Sequence, residues 1–273
     1  MTNSPQAPDS PYRPAGLRAR LERALARLAP DGQTPAPRQL GALDQFHTRG
    51  LAATRELAEL AGIAADHAVL DVGSGLGGPA RYVAASCGCR VIGVDLSEEF
   101  VEAARYLSAR TAQAAQVEFR CASALALPFD DASFDRVLLQ HVAMNIAQRA
   151  ELYREMRRVL APGGRLAVHD VVRAGGEPLY PLPWARSPGH SFLLDATATR
   201  DAVEAAGFRT LAWRDDTPTA IDWAQRLPQA AGAPPAPGLA EVMGEDFPQR
   251  AANLARSLLQ RRVGVLMAVF EAA

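Results

Sequence analysis

A glycine-rich turn and a carboxylate about twenty residues later are the groups in this sequence best suited to chemistry. Within LDVGSGLGGPARYV, residues 70–83, the residues Gly73, Gly75 and Gly77 directly follow an apolar run. Glycines in such a turn let a ligand approach the backbone at the N-terminus of a helix. Asp95 ends the next apolar run and can accept hydrogen bonds from the two hydroxyls of a ribose. Together these groups predict a site for a nucleotide-like cofactor.

Two motifs overlap in this turn. Gly73, Gly75 and Gly78 fit G-x-G-x-x-G, the fingerprint of NAD-binding dehydrogenases. The same segment, starting two residues earlier at Asp71, fits D-x-G-x-G-x-G, the pattern of loops that hold S-adenosylmethionine. Asp71 favours the second interpretation, because its carboxylate would oppose an ammonium or sulfonium group and would repel a pyrophosphate. Side chains at Gly73, Gly75 or Gly77 are expected to collide with the methionine portion of that ligand.

The elements around the motif alternate between short apolar strands and helices of about ten to fifteen residues. Strands are predicted at 67–73, 90–96, 116–122, 134–142, 165–172, 208–214 and in the closing VGVLMAVF, and a helix at 147–164 precedes the fifth strand. This alternation predicts an α/β fold, a Rossmann-like doubly wound sheet of seven strands, mostly parallel with an antiparallel terminal strand.

Composition narrows the possible partners. The chain has 273 residues, a net charge of −1 and 29 basic residues, all of them arginine. A lysine nucleophile or Schiff base is therefore excluded, and the balanced charge favours neither nucleic acid nor an anionic membrane as a partner. Three cysteines without neighbouring histidines predict no metal site. The first residues lack the pattern of a signal peptide and no apolar run is long enough to span a membrane, so we expect a cytoplasmic protein.

Four segments, in order, resemble a class I S-adenosylmethionine-dependent methyltransferase: VLDVGSGLGG, VIGVDLS, ALPFDDASFDRV and MRRVLAPGGRLAV. The resemblance covers residues 67–172 and implies S-adenosylmethionine as the cofactor. It also implies in-line transfer of its methyl group to an N, O or C nucleophile of a small molecule, with release of S-adenosylhomocysteine. QHVAMNI and LDQFHTRGLAAT resemble the branch that contains ubiquinone/menaquinone-biosynthesis and sarcosine/dimethylglycine methyltransferases.

The resemblance also suggests a division of the chain. Residues 1–16 are predicted to be a disordered tail, because proline, serine and asparagine dominate them. Residues 17–64 are predicted to form a helical cap or lid, with Thr48 as the N-cap of its second helix and Gly62 at its end. Residues 65–273 would then form the cofactor-binding domain, in which an insertion at 173–195 recognises the substrate.

By resemblance, Asp95 holds the ribose hydroxyls and Leu96 packs on the adenine. The family usually has an Asp-Ala pair after the third strand, where this chain has Ser123 and Ala124; the serine oxygen can still accept a hydrogen bond. The full set of predicted cofactor-binding residues is Gln45, Asp71, Gly73, Ser74, Gly75, Gly77, Asp95, Leu96, Ser123, Ala124 and Gln140.

His141 and His47 are the candidate catalytic residues. His141 ends the fourth strand, at the edge of the sheet where ligands bind, and an imidazole can act as a general base near neutral pH. A role in lining or packing the pocket is the alternative for His141, and His47 belongs to the segment that the resemblance places over the cofactor. The candidate substrate-binding residues are Met144, Asn145, Trp184 and His190.

Alternatives remain open at this stage. An NAD-dependent oxidoreductase would use the same glycine turn, and a catalytically silent member of the fold would bind the cofactor without turnover. An amino-acid acceptor would need a cation for its carboxylate, for which Arg49, Arg173 and Arg186 are candidates. A quinone or polyketide-like acceptor would need an apolar cavity.

Overall fold

The architecture is that of a computed structural model, which describes Tyr12 and residues 16–30, 33–226 and 238–273. The tail predicted at 1–16 lies outside the described residues except for Tyr12 and Gly16. Tyr12 lies at right angles to the rings of Phe46 and Phe100, with ring centroids 6.2 and 6.0 Å away.

Among the described residues, seven strands form one sheet. They are β1 (Ala68–Val72), β2 (Arg90–Asp95), β3 (Val117–Cys121), β4 (Phe134–Gln140), β5 (Leu160–Arg173), β6 (Phe208–Asp215) and β7 (Val263–Ala272). Their order is β3-β2-β1-β4-β5-β7-β6. The pairs among β1 to β5 are parallel, and β7 is antiparallel to both of its neighbours. The predicted fold class is confirmed.

After an N-terminal group of three, the helices alternate with the strands in most of the described chain, but β4 follows β3 directly and three helices precede β7. They are α1 (Leu17–Leu28), α2 (Pro37–Asp44), α3 (Leu51–Ala61), α4 (Gly78–Cys87), α5 (Glu98–Ser108), α6 (Arg149–Val159), α7 (Ala196–Glu204), α8 (Thr217–Arg226), α9 (Leu239–Met243) and α10 (Phe247–Leu259). Local sequence sets several of their ends. Pro79 lies in the first turn of α4, and the Ser97 side chain accepts a hydrogen bond from the Phe100 amide at the start of α5.

Both faces of the sheet are buried. Successive residues of a strand point to opposite faces, so Val69 packs with α3, α4 and α5 on one side, whereas Leu70 packs with α6 and α7 on the other. A further apolar cluster joins α1, α2 and α5 to α9, with Leu21, Leu40 and Val242 fully buried in it. The N-terminal helices therefore pack against the C-terminal part of the chain as well as against the sheet.

Three local predictions differ from the structure. The helix predicted at 147–164 ends at Val159, because Leu160 pairs with Phe134 and starts β5. Helix α2 lies in a stretch that the prolines suggested would break helical structure, and Pro37 occupies its first turn, where proline is tolerated. Thr48 does not cap α3, which begins after Gly50.

Candidate active site

A cavity of about 390 Å³ opens at the carboxyl ends of β1, β2 and β4. This is the edge at which ligands bind in open α/β sheets, and the volume lies in the range of small-molecule sites. Of the predicted site residues, the cavity is lined by His47, Asp71, Gly73, Ser74, Gly75, Asp95, Leu96, Ser123, Ala124, Gln140, His141, Met144, Asn145 and Trp184. The structure thus brings together residues from six separate segments of the chain.

The glycine turn is held against β2. The amides of Gly73 and Ser74 both donate to the carbonyl of Val94, at 2.8 and 2.9 Å. Gly73 has a φ of 71°, and a Cβ there would lie 2.3 Å from a methyl group of Val142. A side chain at this position would therefore collide with the protein itself, before any ligand is considered.

Asp71 is buried behind the turn, with 1% of its surface exposed. Its Oδ2 has no hydrogen-bond partner among the described residues, and neither has the Oγ of Ser74. Burial, reinforced by the nearby Asp95, raises the pKa of Asp71 to about 7. A buried carboxylate oxygen without a donor is costly, and an ammonium group in the cavity would satisfy it.

Asp95 is positioned by backbone amides on both sides. Its Oδ2 accepts from the Gly75 amide and its Oδ1 from the Ser97 amide, each at 2.9 Å. Each carboxylate oxygen has two lone pairs, so both can still accept from a diol. Leu96 beside it is 49% exposed and Ser123 faces the same part of the cavity. This side therefore combines a diol acceptor with an apolar surface, as a nucleoside requires.

Three predicted site residues do not line the cavity. A Cβ at Gly77 would lie 2.5 Å from the ring of Phe119, so packing explains this glycine better than the predicted clash with a ligand. Gln45 is buried and accepts a hydrogen bond from Thr54 in α3. His190 is exposed in the insertion, with its Nδ1 3.3 Å from the Ser187 hydroxyl. His190 is not among the residues that line the cavity.

The segment 44–49 crosses the cavity and is fixed at both ends by buried ion pairs. At one end, Asp44 accepts from the guanidinium of Arg81 in α4 at 2.8 Å. At the other, Arg49 donates to both oxygens of Asp216, at 2.8 and 3.0 Å. All four side chains are at most 7% exposed. Between these anchors, Phe46 and His47 face the cavity.

His47, in this segment, lies close to two further histidines, His141 and His169. The ring centroids of His47, His141 and His169 are 5.2 to 5.9 Å apart. Burial is the main cause that lowers the pKa of each, to about 3 for His47 and well below the ordinary value for His141. All three rings are therefore neutral near pH 7, and neighbouring imidazoles further oppose protonation.

The two candidate catalytic histidines differ in their contacts. His47 Nε2 lies 3.1 to 3.2 Å from the Gly50 carbonyl, the Thr54 hydroxyl and the Gln140 amide, which favours a positioning role for this ring. His141 has its Nε2 3.1 Å from the hydroxyl of Thr48. His141 also has a φ of 55°, a conformation that non-glycine residues rarely adopt outside functional positions.

Several functional candidates escaped the sequence analysis. Tyr12 and Phe46 line the cavity, and the Tyr12 hydroxyl donates to the Asn145 side chain at 3.0 Å. Asp216 anchors Arg49 from 167 positions along the chain. The sequence predicts Thr48 to be a helix cap, whereas its side chain contacts His141. These partners are distant in sequence, so motif spacing carries no signal for them.

Two searches of the described ranges gave no candidates. No group of three or more histidine, cysteine or acidic side chains there is arranged to hold a metal ion. None of the helices in those ranges combines the length and the apolar character needed to cross a bilayer.

Residues 70–168 match the family model described as a methyltransferase domain. The match covers the glycine turn, Asp95 and His141. This similarity to methyltransferases favours the S-adenosylmethionine interpretation of the glycine turn over the dinucleotide fingerprint.

Individual relatives match over part of their length. Methyltransferase GfsG of Streptomyces halstedii is 38% identical over 144 residues, which are 53% of this chain and 51% of that protein. The chloroplastic tocopherol O-methyltransferase of Arabidopsis thaliana is 38% identical over 117 residues, 41% of this chain and 34% of that protein. The chain thus spans about half or less of the length of these curated relatives.

Solved structures share the fold at low identity. The [4+2]-cyclase SpnF superposes with a TM-score of 0.64 at 22% identity, covering 88% of this chain and 97% of that one. The geranyl diphosphate C-methyltransferase from Streptomyces coelicolor, in complex with S-adenosyl-L-homocysteine, superposes with a TM-score of 0.64 at 17% identity, covering 81% of this chain and 79% of that one. Because a cyclase and a methyltransferase share the architecture, the reaction has to be argued from the site.

Proposed function

We propose that this protein binds S-adenosylmethionine in the cavity and transfers its methyl group to a small-molecule acceptor. The observation that carries the proposal is the pair of unpartnered buried oxygens, Asp71 Oδ2 and Ser74 Oγ, beside a glycine turn and the diol acceptor Asp95. The ammonium and carboxylate of a methionine tail would satisfy these two atoms. A pyrophosphate in the same place would meet the Asp71 carboxylate and be repelled.

The individual residues then have separate tasks. Asp71 and Ser74 bind the amino-acid portion, Asp95 binds the ribose hydroxyls, and Leu96 and Ala124 cover the adenine. The Ser123 Oγ already accepts from the Leu125 amide at 3.2 Å, so its hydroxyl hydrogen is free to be donated to an adenine nitrogen. Gln140 and His47 hold segment 44–49 against the end of β4.

When bound, S-adenosylmethionine supplies a methyl group already activated by a positive sulfur. The protein's part is therefore to align the acceptor in line with the S–C bond and to exclude water. Segment 44–49, Tyr12 and the insertion residue Trp184 cover the cavity and serve the second purpose. His141 is the group placed to receive a proton if the acceptor loses one.

Calorimetric titration tests the cofactor directly. S-adenosylmethionine is expected to bind with a Kd in the micromolar range, about −8 kcal/mol, and NAD under the same conditions is expected to give no binding heat. Coupled detection of S-adenosylhomocysteine across a panel of acceptors then separates an active enzyme from a catalytically silent member of the fold. Binding of NAD in place of S-adenosylmethionine would contradict the proposal.

The finer sequence-based predictions belong to this proposal. They are membership of the branch with ubiquinone/menaquinone-biosynthesis and sarcosine/dimethylglycine methyltransferases, a cytoplasmic location, and the absence of nucleic-acid and membrane partners. The fold and the domain match support the methyltransferase class and leave these finer points as predictions.

A further inference from the structure

The part of the cavity next to β4 differs in character from the part next to the glycine turn. We call it the acceptor side; it is formed by Tyr12, Phe46, Met144, Asn145, Pro183 and Trp184. In the sheet order, β4 lies on one side of β1, whereas β2 and β3 lie on the other. Met144 and Asn145, which follow β4, therefore lie across β1 from Asp95 and Ser123, which belong to β2 and follow β3. Five of its six residues are apolar or aromatic, and Met144 and Trp184 are fully buried.

The charges that line the cavity are accounted for without the acceptor. Asp44 is paired with Arg81, Asp71 faces the place assigned to the ammonium group, and Asp95 binds backbone amides and the diol. On the basis of the proposed function, the ammonium group of the cofactor pairs with Asp71, so each of the three lining carboxylates has a partner, and the described lining residues include no arginine. A second charge on the acceptor would then have no counterpart in a site with a low effective dielectric.

The arginines that an anionic acceptor would need are engaged elsewhere. Arg49 binds Asp216 and Glu56, and Arg186 pairs with Asp246 at 2.6 Å outside the cavity. Arg173 is exposed at the end of β5, and the described lining residues include none of the three. The nearby Arg250 donates to the carbonyls of Pro183 and Met243 and to Asp246.

The polar atoms that remain around the acceptor side are neutral. They belong to the hydroxyl of Tyr12, the amides of Asn145 and Gln140, and the imidazoles of His141 and His47. Neutral hydrogen-bonding groups in an apolar wall select neutral partners, because a buried charge without an opposite charge is strongly disfavoured. An imidazole can accept a hydrogen bond from a hydroxyl at its unprotonated nitrogen.

We propose that the methyl acceptor is a neutral, largely apolar molecule that presents a hydroxyl group to His141. The acceptor oxygen forms the new C–O bond while the S–C bond breaks, and the electron pair of that bond stays on sulfur. The oxygen that gains the methyl group becomes an oxonium, a far stronger acid than an imidazolium, so its proton passes to the ring nitrogen of His141 that Thr48 does not contact, and from there to solvent. The products are a methyl ether, a neutral thioether and one proton.

A set of probes with one ring system and different head groups tests this class. The probes are 2-naphthol, 2-naphthoate, 2-naphthyl phosphate, 2-naphthylmethylammonium and 2-methylnaphthalene, titrated calorimetrically into protein saturated with S-adenosylhomocysteine at pH 7. We expect 2-naphthol, which is neutral at this pH as phenols are, to bind at least about tenfold more tightly than either anion or the cation. It should also bind several-fold more tightly than 2-methylnaphthalene, which lacks the hydroxyl.

The proposal is overturned if either anion or the cation binds more tightly than 2-naphthol. It is also overturned if 2-naphthol binds with a Kd above about 1 mM. Saturation of the protein with S-adenosylhomocysteine is verified first in a separate titration. Failure at that step contradicts the proposed function, whereas failure among the probes contradicts only the acceptor class.

Variants localise the binding to the acceptor side. Trp184→Ala is expected to weaken 2-naphthol binding about tenfold while leaving the Kd of S-adenosylhomocysteine within about twofold. Trp213→Ala is the matched control, because Trp213 packs on Phe270 outside the cavity, with ring centroids 6.1 Å apart.

Asn145→Asp keeps a hydrogen-bond acceptor for the Tyr12 hydroxyl but adds a negative charge. It should therefore improve binding of the ammonium probe relative to 2-naphthol, and an unchanged ratio contradicts the placement of the head group.

Discussion

The two sides of the cavity are built in different ways. The glycine-turn side uses short stretches at the ends of β1, β2 and β3, and its geometry is fixed by backbone amides on Val94 and Asp95. The acceptor side is assembled from side chains of distant segments, and buried pairs such as Arg49 with Asp216 hold it together. A hydrogen bond between backbone groups is kept when side chains change, whereas a contact between side chains is lost when either partner is replaced. The glycine-turn side therefore suits a constant cofactor, and the acceptor side suits a variable acceptor.

The largest effect is expected on the glycine-turn side. Gly73→Ala places a methyl group 2.3 Å from Val142 at a φ of 71°, so the turn must move. We expect binding of S-adenosylmethionine to weaken about 100-fold, or about 3 kcal/mol. Gly163→Ala is the matched control: its φ is 73°, but nothing lies within 4 Å of the added methyl group. Calorimetry measures both, and equal losses would contradict a steric cause.

The next effect concerns the support of the acceptor side. Arg49→Met leaves the buried Asp216 without its bidentate partner, and breaking such a pair is strongly destabilising. We expect a loss of about 2–3 kcal/mol in the free energy of unfolding, measured with urea. Arg186→Met removes an exposed pair with Asp246 and should cost less than about 1 kcal/mol. A similar loss in both variants would show that burial of the Arg49 pair is irrelevant.

We expect the Asp71 carboxylate to lower the stability of the ligand-free protein and to strengthen the binding of S-adenosylmethionine. Its pKa is about 7 in the folded protein, whereas an unfolded aspartate titrates near about 4. Between these values the folded state holds a proton that the unfolded state has lost, so stability falls as pH rises through this window. Asp71→Asn should therefore stabilise the ligand-free protein at pH 8 by about 1–2 kcal/mol, and much less at about pH 4.

The same variant should bind S-adenosylmethionine about tenfold more weakly at pH 8, because the ammonium group loses its counter-charge. Thermal denaturation and calorimetry give the two readouts. Asp66→Asn, at an exposed aspartate before β1, is the control and should change neither. Unchanged cofactor affinity in Asp71→Asn would remove this carboxylate from the binding site.

The smallest effect concerns the hydrogen bond between Thr48 and His141. Thr48→Val removes a bond of 3.1 Å and should destabilise the protein by about 1 kcal/mol. Nitrogen chemical shifts of the His141 ring should also show a change in which nitrogen carries the proton. Thr199→Val, which removes a buried-threonine hydrogen bond to the Asp195 carbonyl, serves as the control. Thr199→Val should lower stability by a similar amount and leave the position of the proton on the His141 ring unchanged. If that position is also unchanged in Thr48→Val, Thr48 does not position the ring.

The contrast between the two sides also explains what the sequence could predict. The glycine turn and Asp95 are separated by one strand–helix unit, so motif spacing and alternation were enough to place them together. The mostly parallel sheet with an antiparallel terminal strand was also predicted, whereas the order of the strands was not. Arg49 and Asp216 carry no motif, and Tyr12 lies in a proline-rich stretch that gave no periodicity. Their contacts arise from packing between distant segments, which local propensity does not encode.

The two ion pairs that anchor segment 44–49 bear on the rates at which ligands bind and dissociate. Displacing the segment requires breaking the Asp44–Arg81 or the Arg49–Asp216 pair. At about 3 kcal/mol for either pair, roughly one molecule in 100 would have the segment displaced at any moment. Leu96, whose side chain is about half exposed, also borders the cavity. We therefore expect ligand exchange to occur past Leu96, with a residence time that is insensitive to the strength of the two ion pairs.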